Sequence, residues 1–262
     1  MRADAIPLEE ARLKNISKLE DYPSLHERHR IFPEVFKDKN HRNILDIAAG
    51  VGVVGKRIKD GCDAEVLCND VCPKCLAVMG RAGLKTVSFN IDDDSRPYPI
   101  EDGQFDAVVA LATIEHLINL EYFLDEINRI LQKDGRLYLS APNYSGLTYL
   151  LPFLVTGKTF HDPISDSERY EFYAHVRYFT YRSLVDVVHQ HGFAAEEVYL
   201  PVPESSSKYL SLKQKSKFKA QLARSTMKTL YSLFSPRWAA EPVICFRKGR
   251  AIPGEKIKKV IL

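Results

Sequence analysis

A turn able to cradle a ligand lies near the start of the sequence. Asp46-Ile47-Ala48-Ala49-Gly50-Val51-Gly52-Val53-Val54-Gly55 carries the spacing G-x-G-x-x-G directly after an apolar run, and Asp70 follows Gly50 by twenty positions. Glycines at such a turn admit close backbone approach, and an acid at that distance can accept ribose hydroxyls. Taken singly, the glycines also suit tight strand-to-helix packing, and each acid suits a turn or cap.

Charge discriminates between the ligands this turn could hold. Asp46, Asp70 and Asp92 each sit at or just beyond the end of one of three successive candidate strands. A pyrophosphate needs N–H donors and is repelled by so many acids, which weakens the rival reading of an NAD-dependent oxidoreductase. An ammonium, a sulfonium and ribose hydroxyls, the groups of S-adenosylmethionine, are complementary to them.

A second set of residues could move protons. His116 lies just beyond the fourth strand and is the candidate general base, with fixing of the local turn as its alternative role. Asn143, Tyr144, His161, Tyr173, His175 and Tyr178 fall within a stretch rich in Tyr, His and Pro and are candidate contacts for a polar, ring-shaped acceptor. Packing within that stretch is their alternative role.

Cys62, Cys68, Cys72 and Cys75 include one C-x-x-C, but there is no second such pair. The two sides of a zinc knuckle would fall on a central strand and on the next helix, so buried thiols acting as small hydrophobes are expected and no metal site is assigned. Between Ser205 and Ala240 stand eight Lys or Arg residues and no acid, interleaved with Phe218, Leu222, Met227, Leu230, Tyr231 and Phe234. This reads as a basic amphipathic helix. Its apolar stripe is expected to pack on the domain, and a membrane face or another acidic partner is the functional alternative. A non-catalytic protein binding membrane or partner through this arm is a further rival, against which the intact glycine turn counts.

The elements that must position these groups follow from hydrophobic patterning. Residues 8–20 and 26–36 are expected to be helical. Strands are expected at 43–48, 64–69, 86–91, 105–110, 136–140, 193–200 and 242–247, with helices near 52–59, 74–82, 120–131 and 180–191. Alternation of this kind implies a parallel sheet covered on both faces. The layout is one domain over 1–262, with an N-terminal helical segment 1–40, a loop-rich cap insertion 143–178 and a basic insertion 205–240.

Together these motifs resemble the Rossmann-like S-adenosylmethionine-dependent methyltransferases, in the branch acting on small molecules, sugars and lipids. Ile44 to Gly52 is similar to that family's first motif and Asn69-Asp70-Val71 to its second. Asp92 with Pro97-Tyr98-Pro99, then Gly103 to Val109, resembles the third and fourth. Ile114-Glu115-His116-Leu117, Glu126 to Leu137, Arg177 to Thr180 and His191-Gly192-Phe193 continue the likeness, which covers roughly 40–200 and the last strand.

The resemblance implies an α/β, Rossmann-like, seven-stranded, mostly parallel sheet with helices on both faces and the last strand antiparallel. It implies that Ala48, Ala49, Gly50 and Gly52 approach the methionine part, with Asp46 near its ammonium, and that Asp70, beside Val71, takes the ribose. It places Asp92 at the adenine amino group with Ile91 and Asp93 beside it, and Ala110, Leu111 and Ala112 on the methyl side. It also implies that the cap insertion builds the acceptor pocket. Methyl transfer to oxygen of a small-molecule, sugar or lipid-linked acceptor is the expected activity.

Composition bounds the rest. The 262 residues are 45% hydrophobic and 27% charged, which excludes a wholly disordered or collagen-like chain. An odd cysteine count without a leader-like segment suggests a cytoplasmic protein, peripheral at a membrane if the basic arm engages one. No RNA-binding module is recognisable, so nucleic acid is not the expected partner.

Overall fold

A computed structural model describes residues 5–23, 25–157, 161, 164, 169–250 and 256–262. The chain runs α1 (Ala5–Arg12), α2 (Glu27–Arg30), β1 (Asn43–Ile47), α3 (Val53–Gly61), β2 (Glu65–Asn69), α4 (Pro73–Arg81), β3 (Lys85–Val87), β4 (Phe105–Leu111) and α5 (Leu120–Ile130). It continues β5 (Leu131–Ser140), α6 (Leu147–Thr156), α7 (Arg169–Ala174), α8 (Tyr181–Gln190), β6 (Phe193–Leu200), α9 (Ser207–Lys215), α10 (Lys217–Leu233), β7 (Val243–Lys248) and β8 (Lys258–Ile261).

The strands form one eight-stranded sheet in the order β3-β2-β1-β4-β5-β7-β6-β8. The first five pair in parallel, and β7 lies antiparallel between β5 and β6. The strand expected last is therefore antiparallel, as the resemblance implied. Beyond it the structure adds β8, parallel to β6 at the edge. Its Lys258-Lys259 start hides it from an apolar-run search, and charge of that kind is usual on an edge strand.

Central strands are predominantly apolar because both faces are covered. One core layer packs α5 and α8 through Phe123, Ile127, Leu184 and Val188; the other packs α3, α4 and the N-terminal segment through Ile58, Met79, Leu13 and Phe32. Cys68, Cys72 and Cys75 are buried in the second layer as small apolar groups, with no disulfide.

Several local expectations need correction. The N-terminal helix ends at Arg12, and residues 19–21 form a separate 3-10 turn. The strand expected at 136–140 begins earlier, following α5 directly at Leu131 and carrying Gly135 within it. The cap insertion holds two helices, α6 and α7, rather than loop alone.

The basic arm is two helices, interrupted at Ser216, whose backbone is extended and whose side-chain hydroxyl caps α10 by accepting the Lys219 N–H. Its apolar stripe does not pack as expected: only Ala220 of α10 is buried, while Phe218, Leu222, Leu233 and Phe234 are exposed. Tyr231 alone of the stripe leans on the core.

Candidate active site

The ends of β1 and β4 open into a cavity of about 530 Å³. Its inner wall is Asp46, Ala48, Ala49, Gly50 and Val51 from the first turn, with Leu111 and Ala112 from the end of β4. Ala48 and Ala112 both hold left-handed backbone, with φ of 53° and 51°. That conformation is unfavourable for a residue with a Cβ, and its occurrence at two adjacent strand ends marks a place where turn geometry is set by the fold.

The three glycines do different work. A Cβ on Gly50 (φ 57°) would meet nothing within 4 Å, so this glycine faces open space where a ligand can approach its backbone. A Cβ on Gly52 would lie 2.6 Å from both Met79 and Leu84, so this glycine serves packing against α4 and does not line the cavity. A Cβ on Gly55 would meet the Cys68 sulfur at 2.5 Å, which makes it the glycine that lets α3 lie on the sheet.

Two carboxylates flank the turn. Asp46 is buried and accepts the Gly55 N–H at 2.9 Å; burial first, and the nearby Asp70 charge next, push its carboxyl up to about 7. Asp70 accepts the N–H groups of Gly50 and Cys72, both at 2.8 Å, and burial raises it to about 6 despite those bonds. Both sites thus penalise bare negative charge and would favour a ligand supplying positive charge or hydroxyl donors.

Other expected cofactor residues lie away from this cavity. Asp92 is buried and accepts the Ile118 and Asn119 N–H groups at 2.9 and 2.7 Å, tying its loop to the start of α5. Ile91 is buried and accepts the Tyr98 hydroxyl through its carbonyl. Asp93 caps its own turn on Ser95 and borders a separate cavity of about 270 Å³ with Phe89 and Asn90. Val71 is half-buried beside Asp70, and Ala110 is wholly inside the sheet core rather than on the methyl side.

Histidines form the far wall. His116, His161 and His175 line the same cavity as Gly50 and Ala112, with Tyr149 and Pro142. The His116 Nδ1 lies 3.1 Å from the Ala174 carbonyl; as that nitrogen must donate, the neutral ring carries its lone pair on Nε2. The Tyr144 hydroxyl sits between His161 Nε2 at 3.1 Å and His175 Nδ1 at 3.0 Å. Burial, then the neighbouring histidines, lower His175 to about 3, so it is neutral at ordinary pH. Glu115, His116 and His175 also bring one potential ligand atom each within 4.8 Å of one another, so among the described residues this group, not the cysteines, has the spacing of a cation site.

Three expected acceptor contacts serve elsewhere. Asn143 is buried, donating to the Arg237 and Ala239 carbonyls and accepting from Ser145 and Tyr181; it ties the cap to α8. Tyr178 packs on Tyr144 at 5.1 Å between ring centres without lining the cavity, and Tyr173 is exposed.

Sequence reasoning missed the outer wall. The N-terminal segment supplies Arg12, Tyr22, His26, Arg28 and His29, and the basic arm supplies Lys208. The crowding of His26-Glu27-Arg28-His29-Arg30 was the available clue.

This geometry meets its counterpart in known proteins: residues 45–139 match the family described as Methyltransferase domain. Over 124 residues the chain is 27% identical to the mitochondrial ubiquinone biosynthesis O-methyltransferase of Dictyostelium discoideum, covering 43% of this chain and 39% of that protein. Over 99 residues it is 33% identical to ajmaline N-methyltransferase of Rauvolfia serpentina, covering 36% of this chain and 33% of that one. The chain thus matches less than half the length of either relative.

The fold is similar to phosphoethanolamine N-methyltransferase 2 of Haemonchus contortus, solved with S-adenosyl-L-methionine, at a TM-score of 0.56 and 17% identity over 85% of this chain and 52% of that one. S-adenosyl-L-methionine is the ligand bound in that protein. The residues present suit it: the open face of Gly50, the buried Asp46 and the part-buried Asp70 offer an approachable backbone and acceptors for an ammonium and hydroxyls.

Proposed function

We propose that this chain is a methyltransferase that moves a methyl group from S-adenosylmethionine to a hydroxyl oxygen of a small-molecule, sugar or lipid-linked acceptor, within one domain spanning 1–262. The observation that carries the oxygen reading is the wall of histidine nitrogens, from His116, His161 and His175, facing the glycine turn across one cavity. An amine acceptor arrives neutral by losing a proton to solvent, but a hydroxyl gains most from a base placed beside it.

Bound S-adenosylmethionine supplies an electrophilic methyl on a sulfonium whose sulfur keeps the C–S electron pair as the new O–CH₃ bond forms. The chain's own part is to orient and to take a proton. Asp46 meets the ammonium and Asp70 the ribose, while Gly50 lets the methionine part lie against the backbone. Asp92 and Asp93 keep the adenine side as their expected role. His116 Nε2 accepts the acceptor hydroxyl proton, with Ala174 holding the ring through Nδ1. Tyr144 holds His175 and His161 in register behind it.

The lipid-linked option draws support from two exposed surfaces. α6 carries Leu151, Phe153, Leu154 and Val155 into solvent without a charged residue, and α10 exposes Phe218 and Leu222 among lysines. A basic helix with exposed apolar groups suits the interface of an anionic bilayer. No helix among the described residues is long and apolar enough to cross one.

Titration calorimetry with S-adenosylmethionine, S-adenosylhomocysteine and NADH in parallel tests the reading. Binding of the first two alone is expected. Binding of NADH alone would replace it with the oxidoreductase reading.

A further inference from the structure

The outer wall of the cavity has a composition that methyl transfer itself does not require. Arg28 is largely buried, with its side chain 13% exposed. One end of its guanidinium, Nη1, pairs with Glu241 at 2.5 Å, but among the described residues the buried Nε–H has no partner. A buried guanidinium donor without an acceptor is rare in a folded chain, since desolvating it without a bond is unfavourable. It lines the cavity together with Arg12, His26, His29 and Lys208.

The surrounding charges are unevenly neutralised. Arg12 is held by Glu9 through two bonds, and Arg28 by Glu241 through one. Among the described residues Lys208 has no ion-pair partner, and it is exposed at the rim. The His29 Nδ1 accepts the His26 N–H at 3.4 Å, so its Nε2 carries a proton and is a further donor. Burial first, then the nearby charges of Arg28, Lys208 and Arg12, push His26 down to about 4.

We propose that Arg28, with Lys208 and His29, forms an anion subsite that seats a phosphate or carboxylate group of the methyl acceptor. Arg28 Nε supplies the buried directional bond, and Lys208 supplies charge at the mouth. The subsite is built from α2 and α9, outside the segment that forms the cofactor turn, and the S-adenosylhomocysteine arm of the test separates an acceptor anion from the methionine carboxylate. It rests on the methyltransferase reading for its substrate, but not for its anion.

The test is calorimetric titration of inorganic phosphate into protein saturated with S-adenosylhomocysteine, with chloride at equal ionic strength as control. Wild type should bind phosphate above the chloride background. Arg28→Gln should weaken that binding about tenfold and Lys208→Gln about threefold, while affinity for S-adenosylhomocysteine stays within about twofold in both. Lys208 is exposed, so its variant reports even if loss of the Glu241 pair unfolds Arg28→Gln. Equal phosphate binding in wild type and Lys208→Gln, or no phosphate binding in wild type, overturns the subsite. Loss of S-adenosylhomocysteine binding with phosphate binding intact in Arg28→Gln also overturns it and moves the residue to the cofactor. Failure of wild type to bind S-adenosylhomocysteine refutes the methyltransferase reading instead, and phosphate titration of the free protein then tests the subsite alone.

Discussion

The Gly55 backbone N–H donates to the Asp46 carboxylate across the first turn of α3, at 2.9 Å. That bond holds a buried acid at the mouth of the glycine turn, where its ionisation costs most in the empty protein. A carboxyl raised to about 7 is protonated over part of the working range. A ligand ammonium favours the ionised form, so cofactor affinity should rise with pH to about 7 and then level. Asp46→Asn should bind weakly and show no such rise; a steep rise retained in that variant would assign the titration elsewhere.

The same group affects stability with a definite sign. The fold binds the Asp46 proton more tightly than the unfolded chain, whose carboxyl keeps the ordinary value of 3.8. The unfolded state therefore binds fewer protons between about 4 and 7, and the stability of the free protein should fall as pH rises through that window. Thermal melting at pH 5 and 8 checks this, and Asp46→Asn should flatten the difference.

Asp70 tethers the turn through Gly50 and the next helix through Cys72. Asp70→Ala removes both bonds and the expected ribose acceptor. Cofactor affinity should drop by roughly 2–3 kcal/mol, the scale of a lost charged hydrogen bond. Unchanged affinity by calorimetry would rule out the ribose role.

Gly50 and Gly52 should respond differently to alanine. Gly52→Ala forces a Cβ to 2.6 Å from Met79 and Leu84 at φ 86°, so the loss should appear in the melting temperature. Gly50→Ala meets no atom within 4 Å, so the fold should lose only about 1 kcal/mol of backbone preference while cofactor binding falls. Equal thermal effects in the two would contradict this division.

His116→Ala should lower kcat by about 10²-fold or more with cofactor affinity retained, as expected on removing a general base. Turnover should survive dialysis against a chelator. Activity lost on chelation and restored by Mn²⁺ would make Glu115, His116 and His175 ligands rather than proton acceptors.

The central strands were legible because burial on both faces writes predominantly apolar strands, as in Asn43–Ile47 and Phe105–Leu111, where residues 107–111 are wholly apolar. The glycine turn and Asp46 were legible because their spacing is local. The outer wall was not: a buried Arg28 and an exposed lysine read alike in sequence, and only the docking of α2 beside α9 separates them. Asn143 illustrates the converse error. A polar residue just past a strand looked like a ligand contact, yet its amide is fully engaged with the backbone at 237–239 and with Tyr181.

The position of β7 between β5 and β6 sets an order on assembly. β6 leaves the ribosome before its neighbour exists, and no pairing joins it to β5 in the finished sheet. Until α9 and α10 have been made and β7 has followed, one edge of β5 stands bare and β6 has nowhere to dock. A nascent chain halted near residue 200 would therefore carry the glycine turn with an unfinished sheet beside it, and would depend on the strands still to come to close that sheet.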